Sequence, residues 1–166
     1  WIARPKRLYV SCDGVMYPTR YRKEENGQKR LVYQEMKCAT VFWQEGTSSW
    51  HKRVLSSRAD VEEFGLSVWE LAVGCGLLQA DEVIFISDGG AWCDTIAKRY
   101  FHDATRILDW YHLVEHIWTA ARVLYADEAE AKRWVSRCKD MLMESSGIGL
   151  LRFLQRSRTA RAADAS

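Results

Sequence analysis

Two stretches of the chain drive apolar residues straight into an aspartate followed by glycine. Residues 8–17, LYVSCDGVMY, do so at Asp13-Gly14, and residues 82–92, EVIFISDGGAW, do so at Asp88-Gly89-Gly90. A carboxylate held at the end of a buried strand offers hard oxygen ligands, which suit Mg²⁺ or Mn²⁺ with waters in the remaining positions. Two such acids on adjacent strands can aim their oxygens at one point. Two ions about 4 Å apart activate a water or a 3′-hydroxyl and stabilise the leaving oxygen of a phosphodiester. A glycine beside each acid leaves room for a phosphate backbone to approach. A plainer explanation covers the same residues: Asp-Gly after a strand is a common turn. Asp88 also stands where it can cap a helix beginning near Ala91. Spacing alone leaves both explanations open.

The elements that must position these acids are legible from periodicity. Residues 7–12 alternate and predict a first strand. Asn26-Gly27 marks a tight turn, and the return run LVYQEMKCATVFW, residues 31–43, completes a long hairpin. WHKRVLSS, residues 50–57, is a candidate third strand. Asp60 with Glu63 three residues on has capping-box spacing, and Val61, Phe64, Val68, Leu71 and Ala72 then recur at helical intervals up to Gly74 and Gly76. VIFIS, residues 83–87, is apolar on both faces, the pattern of a strand covered by helices. Residues 91–101 read as a helix, RILDWYH as a short strand or strand end, and the chain from about Trp110 as helical. Leu113, Ile117, Ala120 and Leu124 mark one helix there. Asp127 with Glu130 caps another, carrying Trp134, Val135, Cys138 and Met141.

Composition bounds the class. With 48% hydrophobic and 28% charged residues in 166, the chain is globular and has enough length for a core. Net charge is only +2, but cations cluster at Arg4, Lys6 and Arg7, at Arg20, Arg22 and Lys23, and at Arg152, Arg156, Arg158 and Arg161. Such clusters read as solvated surface or as phosphate contacts. The five cysteines form no C-x-x-C pair, which argues against zinc, and no signal peptide or membrane-length apolar stretch accompanies them. Reduced thiols in the cytoplasm, with no membrane association, are therefore expected. The opening WIARPK lacks an initiator Met, and the closing RSRTARAADAS has no hydrophobic pattern; both read as margins of a longer protein.

Four blocks carry a family resemblance: YVSCDGVMYPTR, YQEMKCATVF, VIFISDGGAWCDTIAKRYF and, most specifically, ILDWYHLVEHIW. In order and over residues 7–145 they resemble bacterial insertion-sequence transposases of the Kra4 and Lre2 types, relatives of the Mutator-like DDE transposases. The resemblance implies an α/β fold: an RNase H-like mixed sheet opened by a β-hairpin and followed by a mostly helical insertion. The expected layout is a partial catalytic core over 1–110, the insertion over 111–156 and a disordered tail over 157–166. It implies that Asp13 and Asp88 are the first two catalytic, metal-binding acids, with Mg²⁺ or Mn²⁺ as cofactor. Asp109 and His112 match an Asp-x-x-His signature beside the site.

The resemblance also implies a third acid, for which Glu128, Glu130 and Glu144 are poor matches, since they read as caps or solvated charges. The chain is thus expected to be a truncated, partial catalytic domain, weak or inactive alone. Its partners would be DNA, both transposon ends and target, with a homo-oligomer as a further assembly. A site that cuts DNA must hold phosphates, for which Arg20, Arg22, Lys23, Lys98 and Arg99 are candidates. Trp110 is placed to stack on a base. The rivals are an RNase H-like nuclease, which would hydrolyse without joining strands, and an inert DNA-binding remnant of a transposase.

Overall fold

A computed structural model describes residues 4–25, 27–45 and 49–164 of the chain. It divides into two compact units, residues 1–109 and 110–166.

The first unit is a five-stranded sheet with two helices on one face. Its strands are β1 (Arg7–Glu25), β2 (Gln28–Glu45), β3 (Ser49–Ser57), β4 (Glu82–Ser87) and β5 (Thr105–Leu108). The helices α1 (Val61–Gly74) and α2 (Ala91–Tyr100) occupy the β3–β4 and β4–β5 connections. The strand order is β3-β2-β1-β4-β5, with β1, β2 and β3 joined antiparallel and β4 and β5 running parallel to β1. That mixed sheet is the RNase H-like α/β arrangement expected from the sequence.

Side chains two apart on a strand share a face. Leu8, Val10 and Cys12 of β1, Ala39, Val41 and Trp43 of β2, and Phe85 of β4 accordingly form one buried layer. It packs on Phe64, Val68 and Ala72 of α1 and on Cys93, Ile96 and Ala97 of α2. Each fully buried side chain of the size of Phe64 or Leu8 contributes about 1.5–3 kcal/mol. On the other face Tyr9 stacks on Phe42, with centroids 4.9 Å apart, and Trp50 tilts against both while staying 59% exposed.

The helix α1 starts where the capping-box spacing predicts: the Glu63 N–H donates to Asp60 Oδ1 at 2.9 Å. It stops at Gly74, and Gly76 follows with φ +97. The hairpin is longer than its apolar alternation predicts. Pairing of β1 with β4 ends at Cys12, and pairing of β2 with β3 begins at Lys37. Beyond those points residues 15–25 and 28–36 pair only with each other, as a two-stranded arm. The arm accommodates Pro18 with a register shift between Pro18 and Arg22. A proline is tolerated where its missing N–H costs no inner ladder bond. Of the predicted tight turn, Asn26 lies outside the described residues and Gly27 has φ +73.

The second unit is a helical hairpin, α3 (Trp110–Leu124) and α4 (Glu128–Asp164). Its core joins Ile117 and Ala121 to Ala131, Trp134, Val135, Cys138 and Leu150. The Glu130 N–H donates to Asp127 Oδ2 at 3.0 Å, the predicted cap. Residues 157–164 continue α4, whereas their lack of an apolar stripe had suggested a disordered tail. The run is rich in Ala and Arg, which favour helix without needing a buried face. Among the described residues no helix is long and apolar enough to cross a membrane.

Two glycines of α1 should respond oppositely to substitution. A Cβ at Gly65 would lie 2.6 Å from the Tyr100 ring and 3.1 Å from the buried Ile96, whereas one at Gly74 meets nothing within 4 Å. Gly65→Ala should lower stability by about 1–3 kcal/mol, and Gly74→Ala should raise it by up to about 1 kcal/mol, read as shifts in the urea midpoint.

Candidate active site

The parallel ladders end level with one another. Cys12 of β1 pairs with Ser87 of β4, and Ser87 pairs with Leu108 of β5. The next residues on the three strands are Asp13, Asp88 and Asp109. The Asp109 N–H continues the ladder by donating to the Ser87 carbonyl at 2.7 Å. Three aspartates thus stand in a row along one end of the sheet. Neighbouring strands are about 4.8 Å apart, so the outer two acids are separated by about 10 Å of backbone. Asp109, predicted as an accessory residue, shares this row.

Each of the first two acids is pinned by a local backbone bond. Asp13 is exposed, and its Oδ1 accepts the Gly14 N–H at 2.7 Å. Asp88 is half-buried, and its Oδ1 accepts the Gly90 N–H at 2.7 Å, closing an Asx turn. The N-cap of α2 is Gly90, with no side-chain bond, so Asp88 does not cap the helix. The two glycines after Asp88 have separate reasons. Gly89 has φ +84, and a Cβ there would lie 3.0 Å from Leu108; a Cβ on Gly90 would lie 3.0 Å from Asp88 Oδ1.

Behind the acids lies Cys93, fully buried in the first turn of α2, with its S–H directed to the Cys12 carbonyl at 3.8 Å. Its thiol pKa is pushed up, first by burial, then by Cys12, then by the charge and hydrogen bond of Asp88, and further by the charge of Asp13. Both carboxylates therefore act on one buried sulfur. Cys12 is likewise pushed up to about 12, by burial and then by Asp88. The sequence predicts these cysteines only as reduced thiols; the further signal at Cys93 is its position on the first turn after the second acid. Glu35 was also missed: its carboxylate lies over Gly14, and a side chain at position 14 would collide with it.

The cations predicted to hold nucleic acid divide into two groups. Lys98 pairs with Asp94 at 2.6 Å, which also takes Arg106 at 2.5 Å, and Arg99 pairs with Glu62. These charges are already answered within the unit. Arg20, Arg22 and Lys23 lie exposed on the hairpin arm.

In the second unit, Trp110 opens α3 and is 38% exposed. His112 Nδ1 lies 3.8 Å from Glu115 Oε2, and the His112 ring meets His116 edge to face at 5.1 Å. Trp92, in the first unit, packs on Phe64.

As a donor set for a hard divalent ion, Asp13 and Asp88 fit in chemistry: two carboxylates on neighbouring strands, each with one oxygen fixed by backbone. Among the described residues no group of three or more His, Cys, Asp or Glu is arranged to hold a metal ion. Compared with known proteins, the chain matches no family model and no curated protein.

The turn and the buried thiols make two expectations. Gly89→Ala should cost about 1–2 kcal/mol, the penalty of a left-handed backbone for an L-residue, read by thermal unfolding. Under Ellman's reagent at mildly alkaline pH, the half-buried Cys38 should react first. Cys12 and Cys93 should react only as fast as the fold opens, as buried protonated thiols do.

Proposed function

We propose that this chain is part of the catalytic domain of a DDE-type DNA transposase, with Asp13 and Asp88 as its first two metal-binding acids. The observation that carries the reading is the β1–β4 register, which brings these acids level on adjacent parallel strands, where both influence the Cys93 thiol. The RNase H-like strand order and the four sequence blocks of the resemblance support it.

In this reading Asp13 and Asp88 hold Mg²⁺ or Mn²⁺. When bound, the metal would supply Lewis-acid stabilisation of charge on phosphate oxygens and a more acidic water or 3′-hydroxyl. The chain's own contribution is positional. Gly14 and Gly90 N–H groups orient one oxygen of each carboxylate, and the apolar layer of Leu8, Val10 and Phe85 keeps the strand ends from shifting. Asp109, next in the row, adds negative charge beside the second acid. DNA is the substrate, cut and then joined to a target. The five cysteines are all free, the state a reducing cytoplasm maintains, and we place the protein there. Hydrolysis without joining is what the same two acids would do in an RNase H-like nuclease.

Mn²⁺ titration followed by electron paramagnetic resonance tests the site. Asp13→Asn and Asp88→Asn should each weaken Mn²⁺ binding by more than the roughly 10–100-fold that loss of a ligand's hydrogen-bonding neighbour costs, with unfolding midpoints close to wild type. Wild-type chain that binds no Mn²⁺, or single variants that bind it normally, would reduce both aspartates to turns. Incubation with labelled duplex and Mn²⁺ then separates chemistries: joined products indicate strand transfer, nicks alone indicate a nuclease.

A further inference from the structure

The hairpin arm has no packing role in the sheet, yet it holds the chain's excess positive charge. Residues 19–33 carry five cations and two carboxylates, a net +3, against +2 for all 166 residues, so everything outside the arm's outer half is slightly acidic. Arg20, Arg22, Lys23, Lys29 and Arg30 are all exposed, and Tyr21 (74%), Tyr33 (55%) and Leu31 (46%) stand in solvent among them.

Register decides how those charges are displayed. Arg22 pairs with Leu31, Lys23 with Arg30, and Glu24 with Lys29. Successive residues of a strand point to opposite faces. Arg22 and Lys29 therefore lie on one face of the ribbon, and Lys23 and Arg30 on the other. A flat anionic surface would be met by one charged face. Cations on both faces of a two-stranded ribbon match a partner with phosphates on both sides, and the major groove of a double helix admits such a ribbon between its two backbones.

We propose that the β1–β2 arm is a grip for duplex nucleic acid, lying in the groove with its two cationic faces toward the flanking phosphates. Lys23 is ten residues beyond Asp13 on the same strand. The register shift between Pro18 and Arg22 shortens the path: Asp13 pairs with Cys38 and Lys23 with Arg30, eight residues apart on β2, which at about 3.3 Å per residue is about 26 Å. The arm thus holds the duplex about 26 Å from the acids. That last placement rests on the reading of Asp13 and Asp88 given above; the arm's affinity for duplex does not.

The test uses the full chain and a fluorescein-labelled duplex of about three helical turns, with the matching single strand and phosphatidylserine vesicles as competing probes. Binding is followed by anisotropy between about 50 and 200 mM salt. Replacing Arg22, Lys23, Lys29 and Arg30 with Gln should lower the slope of log affinity against log salt by about 3.6, roughly 0.9 per lost phosphate contact. The charge-keeping variant, Arg22→Lys with Arg30→Lys, should hold most of the slope. Mn²⁺ binding should be the same in all three proteins. No duplex binding by the wild type, an unchanged slope in the four-Gln variant, equal or tighter binding of the single strand, or preference for the vesicles would each overturn the proposal. Loss of Mn²⁺ binding in the wild type, with duplex binding and its slope intact, would overturn the metal reading and the placement relative to the acids while sparing the grip.

Discussion

Parallel pairing of β1 with β4, and of β4 with β5, is the constraint on which the rest of the molecule depends. Backbone hydrogen bonds set the level of neighbouring strands, and here the parallel ladders close together at Cys12, Ser87 and Leu108 while β1 runs on to Glu25. A slip of one residue in either ladder would turn an aspartate to the opposite face and put a residue that is not a carboxylate in its place. The slip is opposed by the buried layer of Leu8, Val10, Cys12 and Phe85, which only this register sets against α1 and α2. Hydrophobic burial far from the acids is thus what aligns them.

The helix α2 ties the arrangement together. It begins immediately after the Asp88 turn, and its first turn lowers Cys93 into the gap between β1 and β4, where the sulfur reaches the carbonyl that precedes Asp13. Gly89 and Gly90 make this possible, one by adopting a left-handed conformation and the other by leaving the Asp88 carboxylate room to fold back onto the backbone. The turn explanation and the site explanation of Asp88 are therefore not exclusive. A carboxylate that closes an Asx turn through one oxygen keeps lone pairs on the other, and gains rigidity that a solvated aspartate lacks.

How much of this could be read from residues alone follows from where burial acts. Periodicity found β1, β4, α1 and α2 because each is half-packed, and it placed Asp88 at a strand end for the same reason, whereas Asp13 stands inside the longer β1. The long hairpin was legible from its turn, but the extent of β1 past residue 12 was not, since Val15, Tyr21 and Leu31 pack on no layer and carry no alternation that burial would impose. Periodicity missed that Asp109 completes a row, because β5 is four exposed residues whose level is set by backbone bonds to β4, which leave no trace in side-chain type. Lys98 and Arg99 looked like phosphate contacts in one dimension; helical spacing put Lys98 one turn from Asp94, and packing of α2 beside α1 gave Arg99 its partner in Glu62.

For the proposed function, the charge layout makes a division of labour necessary. A row of aspartates repels the very phosphates that a DNA-processing site must approach, and at a few ångströms that repulsion is poorly screened by salt. Opposing it locally with lysine or arginine would tie up the carboxylates in ion pairs, as Asp94 is tied by Lys98 and Arg106. Cations near the row would also compete with any divalent ion for the same oxygens. Moving the attraction outward avoids both conflicts: the arm's cations sit on an extension of the strand that bears Asp13, so the backbone couples the two while distance keeps their charges from neutralising each other. The acids are then left to a metal ion, whose two charges would answer both the carboxylates and the phosphate. In such a molecule, affinity for the polymer and competence for chemistry reside on one strand at separate positions, and each can be altered without the other.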